Sequence, residues 1–100
     1  MRIRLTGKDV ITTDQLQTYV EYRLFTSIAR YQALIHEVNV TLGHNPGNRG
    51  RFLCVVTVDL SSGEQIKIRS YGSHPNAAID RAADRTALRL RRRTSPHVSS

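Results

Sequence analysis

The stretch that most constrains the fold runs from residue 51 to residue 68, where apolar and polar residues alternate along two neighbouring segments. The apolar positions of the first segment are Phe52, Cys54, Val56, Val58 and Leu60. Because successive side chains of a strand point to opposite faces, this alternation predicts a strand over residues 51–60 with one buried face. Ser61-Ser62-Gly63 predicts a tight turn with glycine at a positive φ, and Gln65–Ser70 predicts the returning strand, with Ile66 and Ile68 inward. Such a one-sided hairpin requires a second layer to cover its apolar face.

Two amphipathic helices are predicted to form that layer. The first begins after a capping side chain at residues 12–14 and keeps an apolar spacing of three and four residues through about residue 31, with Phe25 off the apolar stripe. The second begins near Pro75, which suits a first helical turn, with Ser73 or His74 as its cap. Its apolar face consists of Ile79, Ala82, Ala83, Thr86, Ala87 and Leu90.

Two further strands complete the predicted element order, β-α-β-β-β-α. Arg2–Leu5 alternates and is followed by a turn at residues 6–9, and Val38, Val40 and Leu42 mark a second strand followed by a loop over residues 43–50. This order predicts an α+β domain at residues 1–93, with strand one parallel to a neighbour and both helices on one face of a four-stranded sheet. Residues 94–100 are predicted to be a disordered tail. The open face is expected to carry positive charge from Arg2, Arg4, Lys67 and Arg69.

Positive charge is concentrated on the second helix. The chain has a formal net charge of +7. The face opposite the apolar one carries Arg81, Arg85, Arg89 and Arg92, with Arg91 and Arg93 beside it. Like charges at i, i+4 destabilise an isolated helix, and the only acids in this stretch, Asp80 and Asp84, are interpreted as salt-bridge partners of the neighbouring arginines. The pattern predicts a polyanionic partner, most simply nucleic acid phosphate.

The sequence offers little for catalysis. The four histidines are scattered, and the single cysteine, Cys54, alternates with buried valines and is interpreted as a small core residue. No metal site, cofactor or small-molecule substrate is expected, and the protein is predicted not to be an enzyme. No apolar run is long enough to span a bilayer and no signal peptide is apparent, so a cytoplasmic location is expected. With six aromatic residues, recognition of nucleic acid shape and backbone is favoured over base stacking.

Several segments resemble the bacterial ribosome hibernation promoting factors, also called ribosome-associated inhibitors or ribosomal subunit interface proteins. They are Arg2–Val10, Thr13–Leu16 with Tyr19-Val20, the Gly63-Glu64 turn, and Asn76–Arg81 with Arg85. The resemblance covers about residues 1–93 and is to the short form, which lacks a C-terminal dimerisation domain. It implies a fold related to double-stranded-RNA-binding domains.

The resemblance also implies a function and a set of contacts. Family members bind the rRNA of the small ribosomal subunit (16S rRNA) in the channel of messenger and transfer RNA, and they silence ribosomes under stress. By position, Arg85 and Arg92 match basic sites of the family's second helix, Arg23 matches one of the first, and Lys8 lies in the first turn. The predicted RNA-binding residues are Lys8, Arg23, Arg81, Arg85, Arg89, Arg92 and Arg93.

Two alternatives keep the same fold. Leu88 stands in the arginine face where the family commonly has a basic residue, so this face could instead dock an acidic protein with Leu88 as the apolar anchor. The domain could also be a generic double-stranded-RNA binder. The sequence leaves the oligomeric state open.

Overall fold

The computed structural model describes residues 1–94. The elements are β1 (Arg2–Lys8), α1 (Asp14–Ile28), a 3₁₀ helix (Ala29–Leu34), β2 (Ile35–Asn45), β3 (Asn48–Leu60), β4 (Gln65–Gly72) and α2 (Pro75–Thr94). They form one four-stranded sheet in the order β1-β2-β3-β4, in which β1 runs parallel to β2 and the other neighbours are antiparallel. The predicted α+β fold, its element order and the parallel pairing of strand one are confirmed.

The core lies between the sheet and the two helices, and it follows the predicted alternation closely. α2 packs on β3 and β4, and α1 packs on α2 and β1. Inward-facing side chains of β2, β3 and β4 meet Val20, Leu24 and Ile28 of α1. The buried residues of α2 are Ala78, Ile79, Ala82, Ala83, Thr86 and Leu90. The small residues let α2 lie close to the sheet, since a Cβ at Gly72 would stand 2.6 Å from the Ala78 backbone nitrogen.

The predicted ends of the elements are confirmed where local chemistry determines them. The Thr13 hydroxyl caps α1 by accepting a hydrogen bond from the Leu16 amide at 3.1 Å. Gly63 has a φ of 95°, as the predicted turn requires. Phe25 is 50% exposed, in agreement with its place off the apolar stripe of α1.

Three predicted boundaries were wrong because strand pairing or helix geometry continued past them. β1 does not turn at residue 6 but continues through Lys8, which pairs with Gly43 of β2. The segment 43–50, predicted as a loop, belongs mostly to β2 and β3, which pair as far as Asn45 and Asn48 and leave a two-residue turn between them. α1 ends at Ile28, where the chain tightens into the 3₁₀ helix. The predicted tail begins at Thr94, the last residue of α2, and its remaining residues, 95–100, lie outside the described part of the chain.

Because both helices lie on one face of the sheet, the other face is open. The register aligns outward residues in rows, of which Lys8, Gly43, Leu53 and Tyr71 form one. β4 is an edge strand, so the open face and the α2 side of the sheet meet along it. Among the described residues, neither helix has the length and apolarity that crossing a membrane requires.

Candidate nucleic-acid interface

The exposed side of α2 carries a row of guanidinium groups, which we call the α2 arginine row: Arg81, Arg85, Arg89 and Arg92. All four are exposed, and within residues 1–94 none has a carboxylate within 4.0 Å. Arg81 donates a hydrogen bond to the Tyr71 carbonyl oxygen at 3.4 Å, which directs it towards β4. The row therefore combines high charge density with hydrogen-bond donors that are available to an anion.

A cleft joins the α2 arginine row to the edge of the sheet. Arg81 and Arg85 line it together with Arg51, Arg69 and Tyr71. Four guanidinium groups from three elements thus border one depression. The alternation of β4 predicted that Arg69 points outward, but only the packing of α2 along the β4 edge brings it near the row. The Arg51 and Arg69 side chains are absent from the set of RNA-binding residues predicted from the sequence.

Arg23 has a different environment, because it lies between the two helices. Its Nε donates to Asp80 Oδ1 at 2.8 Å and its Nη2 to Asp84 Oδ1 at 3.2 Å, and its side chain is only 24% exposed. Tyr19 Oη donates a second hydrogen bond to the same Asp80 oxygen. Asp80 and Asp84 therefore pair with Arg23 of α1, and the interpretation that they pair with neighbouring arginines of α2 was wrong. The side chain of residue 80 points towards α1, out of reach of Arg81. Arg23 as an RNA contact stays a prediction.

These bonds change the acid–base properties of the groups. The hydrogen bond to Asp80 raises the pKa of Arg23, and the same carboxylate raises the pKa of Tyr19 by favouring its protonated hydroxyl. Partial burial acts to raise the pKa of Asp80, but the bonds from Tyr19 and Arg23 outweigh it and the pKa is lowered. A carboxyl whose pKa is lowered in the folded state stabilises that state above its unfolded pKa.

Asp80→Asn should therefore lower the free energy of unfolding at neutral pH and lose that effect in acid. We expect a loss of about 1 kcal/mol at pH 7, because a hydrogen-bonded and partly exposed ion pair is removed. The difference in the free energy of unfolding between wild type and variant should reach its full size above about pH 4, the unfolded pKa of aspartate. It should vanish as pH falls through the lower folded pKa. Urea unfolding of both proteins at several pH values measures it. A difference that does not depend on pH would contradict the pairing of the ionised Asp80 carboxylate with Arg23 and Tyr19.

Arg93, near the end of α2, is also paired. Its Nη2 donates to Glu64 Oε2 in the turn between β3 and β4. The hydrogen bond and the charge of Arg93 lower the pKa of Glu64. Arg93 thus connects the end of α2 to the hairpin, and its predicted RNA contact is untested.

Lys8 stands apart from the α2 arginine row. It ends β1 on the open face of the sheet, where it lines a groove with Arg49, Lys67 and Arg69. The opposite end of this face is less basic than predicted, because Arg4 Nε lies 3.6 Å from Glu37 Oε2. The structure therefore places the seven predicted residues in three settings: the exposed row, the paired Arg23 and Arg93, and Lys8 on the open face.

The remaining candidates for chemistry belong to the core. Cys54 is fully buried, and burial raises the pKa of its thiol to about 12, so it is protonated at neutral pH. Among residues 1–94 there is no group of three or more His, Cys, Asp or Glu side chains that could hold a metal ion.

Comparisons with known proteins give a consistent result. The family model described as Sigma 54 modulation protein / S30EA ribosomal protein matches residues 3–96. The chain is similar to the crystal structure of the Thermus thermophilus Protein Y N-terminal domain, with 30% identity and a TM-score of 0.77 over 92% of this chain and 98% of that one. It shares its fold with a ribosomal subunit interface protein from Coxiella burnetii, with 17% identity and a TM-score of 0.81 over 95% of this chain and 99% of that one. The search of curated proteins gave no match.

Proposed function

The chain belongs to the Sigma 54 modulation protein / S30EA ribosomal protein family, as its sequence predicted, and from this membership we propose that it is a ribosome-associated translation inhibitor. It binds the rRNA of the small subunit in the channel used by messenger and transfer RNA, and it promotes ribosome hibernation under stress. It acts in the cytoplasm by occupying this channel, without catalysing a reaction.

The observation that carries this proposal is the α2 arginine row. Its guanidinium groups repeat about once per helical turn over the twelve residues 81–92, roughly 16 Å along the helix axis. Arginine suits bidentate contacts to phosphate, and rRNA helices present closely spaced phosphates along their grooves. The core needs only the opposite face of α2, so folding alone does not account for the row. The Coxiella burnetii protein of the same fold is described as a ribosomal subunit interface protein, which agrees with this partner.

The first test is cosedimentation of the protein with purified small ribosomal subunits over a salt series. We expect binding whose logarithm falls linearly with the logarithm of salt concentration, with a slope of about −0.7 to −0.9 per phosphate contact. Prior loading of messenger and transfer RNA should abolish this binding, because the ligands would share one channel. Binding that persists beside these ligands would contradict the proposed site. Equal affinity for any long RNA duplex would instead support the generic double-stranded-RNA binder.

A second candidate function has one observation in its favour. Leu88 is 42% exposed within the arginine face, and an apolar side chain with a charged rim is typical of protein interfaces. In this alternative the face docks an acidic protein. Leu88→Ala would then reduce binding of that protein and leave RNA affinity unchanged. Under the proposed function, by contrast, Leu88→Ala leaves subunit binding within about twofold, since it removes no charge.

A further inference from the structure

We propose that the open face of the sheet binds a single-stranded segment of RNA, which extends the interface from the α2 arginine row around the edge of β4. This inference rests on the proposed function, because it assumes that RNA is the partner of the row. It adds a second binding surface, which we call the sheet groove, formed by residues of all four strands.

The sheet groove is a depression of about 650 Å³ at the basic end of the open face. Its floor includes the apolar side chains of Leu53 and Val55, and Lys8, Lys67 and Arg69 are among the cations that line it. The register places Arg69 beside Val55 and Lys67 beside Thr57 on β3. Phosphates could therefore meet the cations while bases lie over the apolar floor, an arrangement that single-strand binders commonly use.

The charge of the open face is graded from one end to the other. Among the described residues that line the groove, Asp9 is the only acidic one. Its carboxylate accepts a hydrogen bond from the His44 amide at 3.2 Å and lies 4.0 Å from Arg49. At the far end, Glu37 pairs with Arg4, and Asp59 accepts a hydrogen bond from Gln65. Net positive charge is therefore concentrated in the groove, which favours an anionic occupant.

The sheet groove is continuous with the α2 arginine row through Arg69. This residue lines the groove and also lines the cleft that contains Arg81 and Arg85. β4 is an edge strand, so no further strand of the sheet lies between the two surfaces. Tyr71 is 38% exposed at this boundary, next to Leu53 in the register, and its ring is available to a base.

The geometry favours a single strand over a duplex on this surface. The sheet groove and α2 lie on opposite faces of the sheet, so contact with both requires a ligand that bends around β4. A short RNA duplex is stiff, and proteins recognise it by its shape and backbone. A single strand bends freely and exposes its bases. An acidic peptide could also be attracted to the groove, but it would not extend the phosphate contacts proposed for the row.

The test is fluorescence anisotropy with a labelled 12-nucleotide oligouridine and, separately, a labelled 12-base-pair RNA hairpin. The variant Lys67→Ala/Arg69→Ala removes two charges from the sheet groove. We expect it to bind oligouridine about tenfold more weakly, with a salt slope lower by about 1.4, for two contacts at about 0.7 each. Its affinity for the hairpin should fall by no more than about threefold, the share of one contact, because Lys67 lines only the sheet groove whereas Arg69 also borders the cleft with Arg81 and Arg85. The matched control, Arg2→Ala/Arg4→Ala, removes the same charge from the neutralised end of the same face and should change oligouridine affinity less than twofold.

Three results would overturn the proposal. They are equal loss of oligouridine binding in the variant and the control, equal loss of hairpin and oligouridine binding in the variant, and tighter binding of a labelled oligoglutamate than of oligouridine. If Lys67→Ala/Arg69→Ala does not fold, Lys67→Gln/Arg69→Gln, which keeps the aliphatic stems, gives the same comparison. Cosedimentation with small ribosomal subunits distinguishes failure of this inference from failure of the proposed function. Wild-type pelleting with no groove effect contradicts only this inference, whereas absence of pelleting contradicts the proposed function.

Discussion

Reversal of charge at Arg85 and Arg89 together should lower affinity for the small ribosomal subunit about a hundredfold and leave the fold intact. Each substitution to glutamate removes a phosphate contact and adds a repulsion, and four such changes at about 0.7 kcal/mol each correspond to a factor of about 100. Both residues are exposed, and within residues 1–94 neither has a carboxylate within 4.0 Å, so the substitutions break no ion pair of the folded state. Cosedimentation at several salt concentrations measures the loss, and thermal unfolding monitored by circular dichroism checks the fold.

A matched control separates the position of the charge from the total charge. Arg2→Glu/Arg30→Glu changes the net charge by the same four units, at exposed positions outside α2. If general attraction to RNA were the whole effect, both double variants would lose equal affinity. The proposed interface requires a loss at least tenfold greater for Arg85→Glu/Arg89→Glu. Unchanged pelleting of that variant would refute RNA binding by the α2 arginine row.

Leu90→Ala should lower the free energy of unfolding by about 2–5 kcal/mol, whereas Leu88→Ala should change it by less than about 0.5 kcal/mol. The two leucines are two residues apart on α2, but Leu90 is fully buried and Leu88 is 42% exposed. Truncation of Leu90 leaves a cavity between α2 and the sheet, in a domain whose total stability is about 5–15 kcal/mol. Urea unfolding of the two variants under identical conditions measures the difference.

This pair also separates stability from binding. If Leu90→Ala pellets less with ribosomal subunits, its loss should follow the unfolded fraction, because residue 90 does not reach the surface. Leu88→Ala, which stays folded, reports directly on the surface. A stability loss of more than about 1.5 kcal/mol in Leu88→Ala would show that this side chain belongs to the core, contrary to its exposure. Strong loss of an acidic protein partner in Leu88→Ala would favour the alternative function.

Two arginines of this chain form ion pairs that connect elements of the fold. Arg23 joins the two helices through Asp80 and Asp84, and Arg93 joins α2 to the hairpin through Glu64. A guanidinium group that already forms an ion pair with a carboxylate gains less binding free energy from a phosphate contact than one without such a pair. Among residues 1–94 the guanidinium groups of the α2 arginine row have no carboxylate partner, so they are better candidates for phosphate contacts than Arg93 and than Arg23, which the family resemblance suggests.

The sequence alone determined the elements whose patterns are local. Alternation along residues 51–60 identified the inward face of β3, and the spacing of Ile79, Ala82 and Leu90 identified the buried face of α2. These patterns predict faces reliably because burial acts on every second residue of a strand and on every third or fourth residue of a helix. The same periodicity placed Arg85 and Arg89 at the surface, and residue motifs identified the family.

Only the tertiary structure decided which side chains meet, because contacts between distant segments depend on register and packing rather than on local spacing. The pairing of Lys8 with Gly43 extended β1 through a predicted turn, and the backbone bonds of two neighbouring strands converted most of a glycine-rich segment into hairpin. Packing of α1 against α2 pairs Asp80 with Arg23 of α1, not with the neighbouring arginines of α2. Packing of α2 on the sheet placed this helix along the edge of β4, where Arg69 joins Arg81 and Arg85 in one cleft. Charges separated by more than ten residues in sequence form one surface only after the sheet has set its register and the helices have docked.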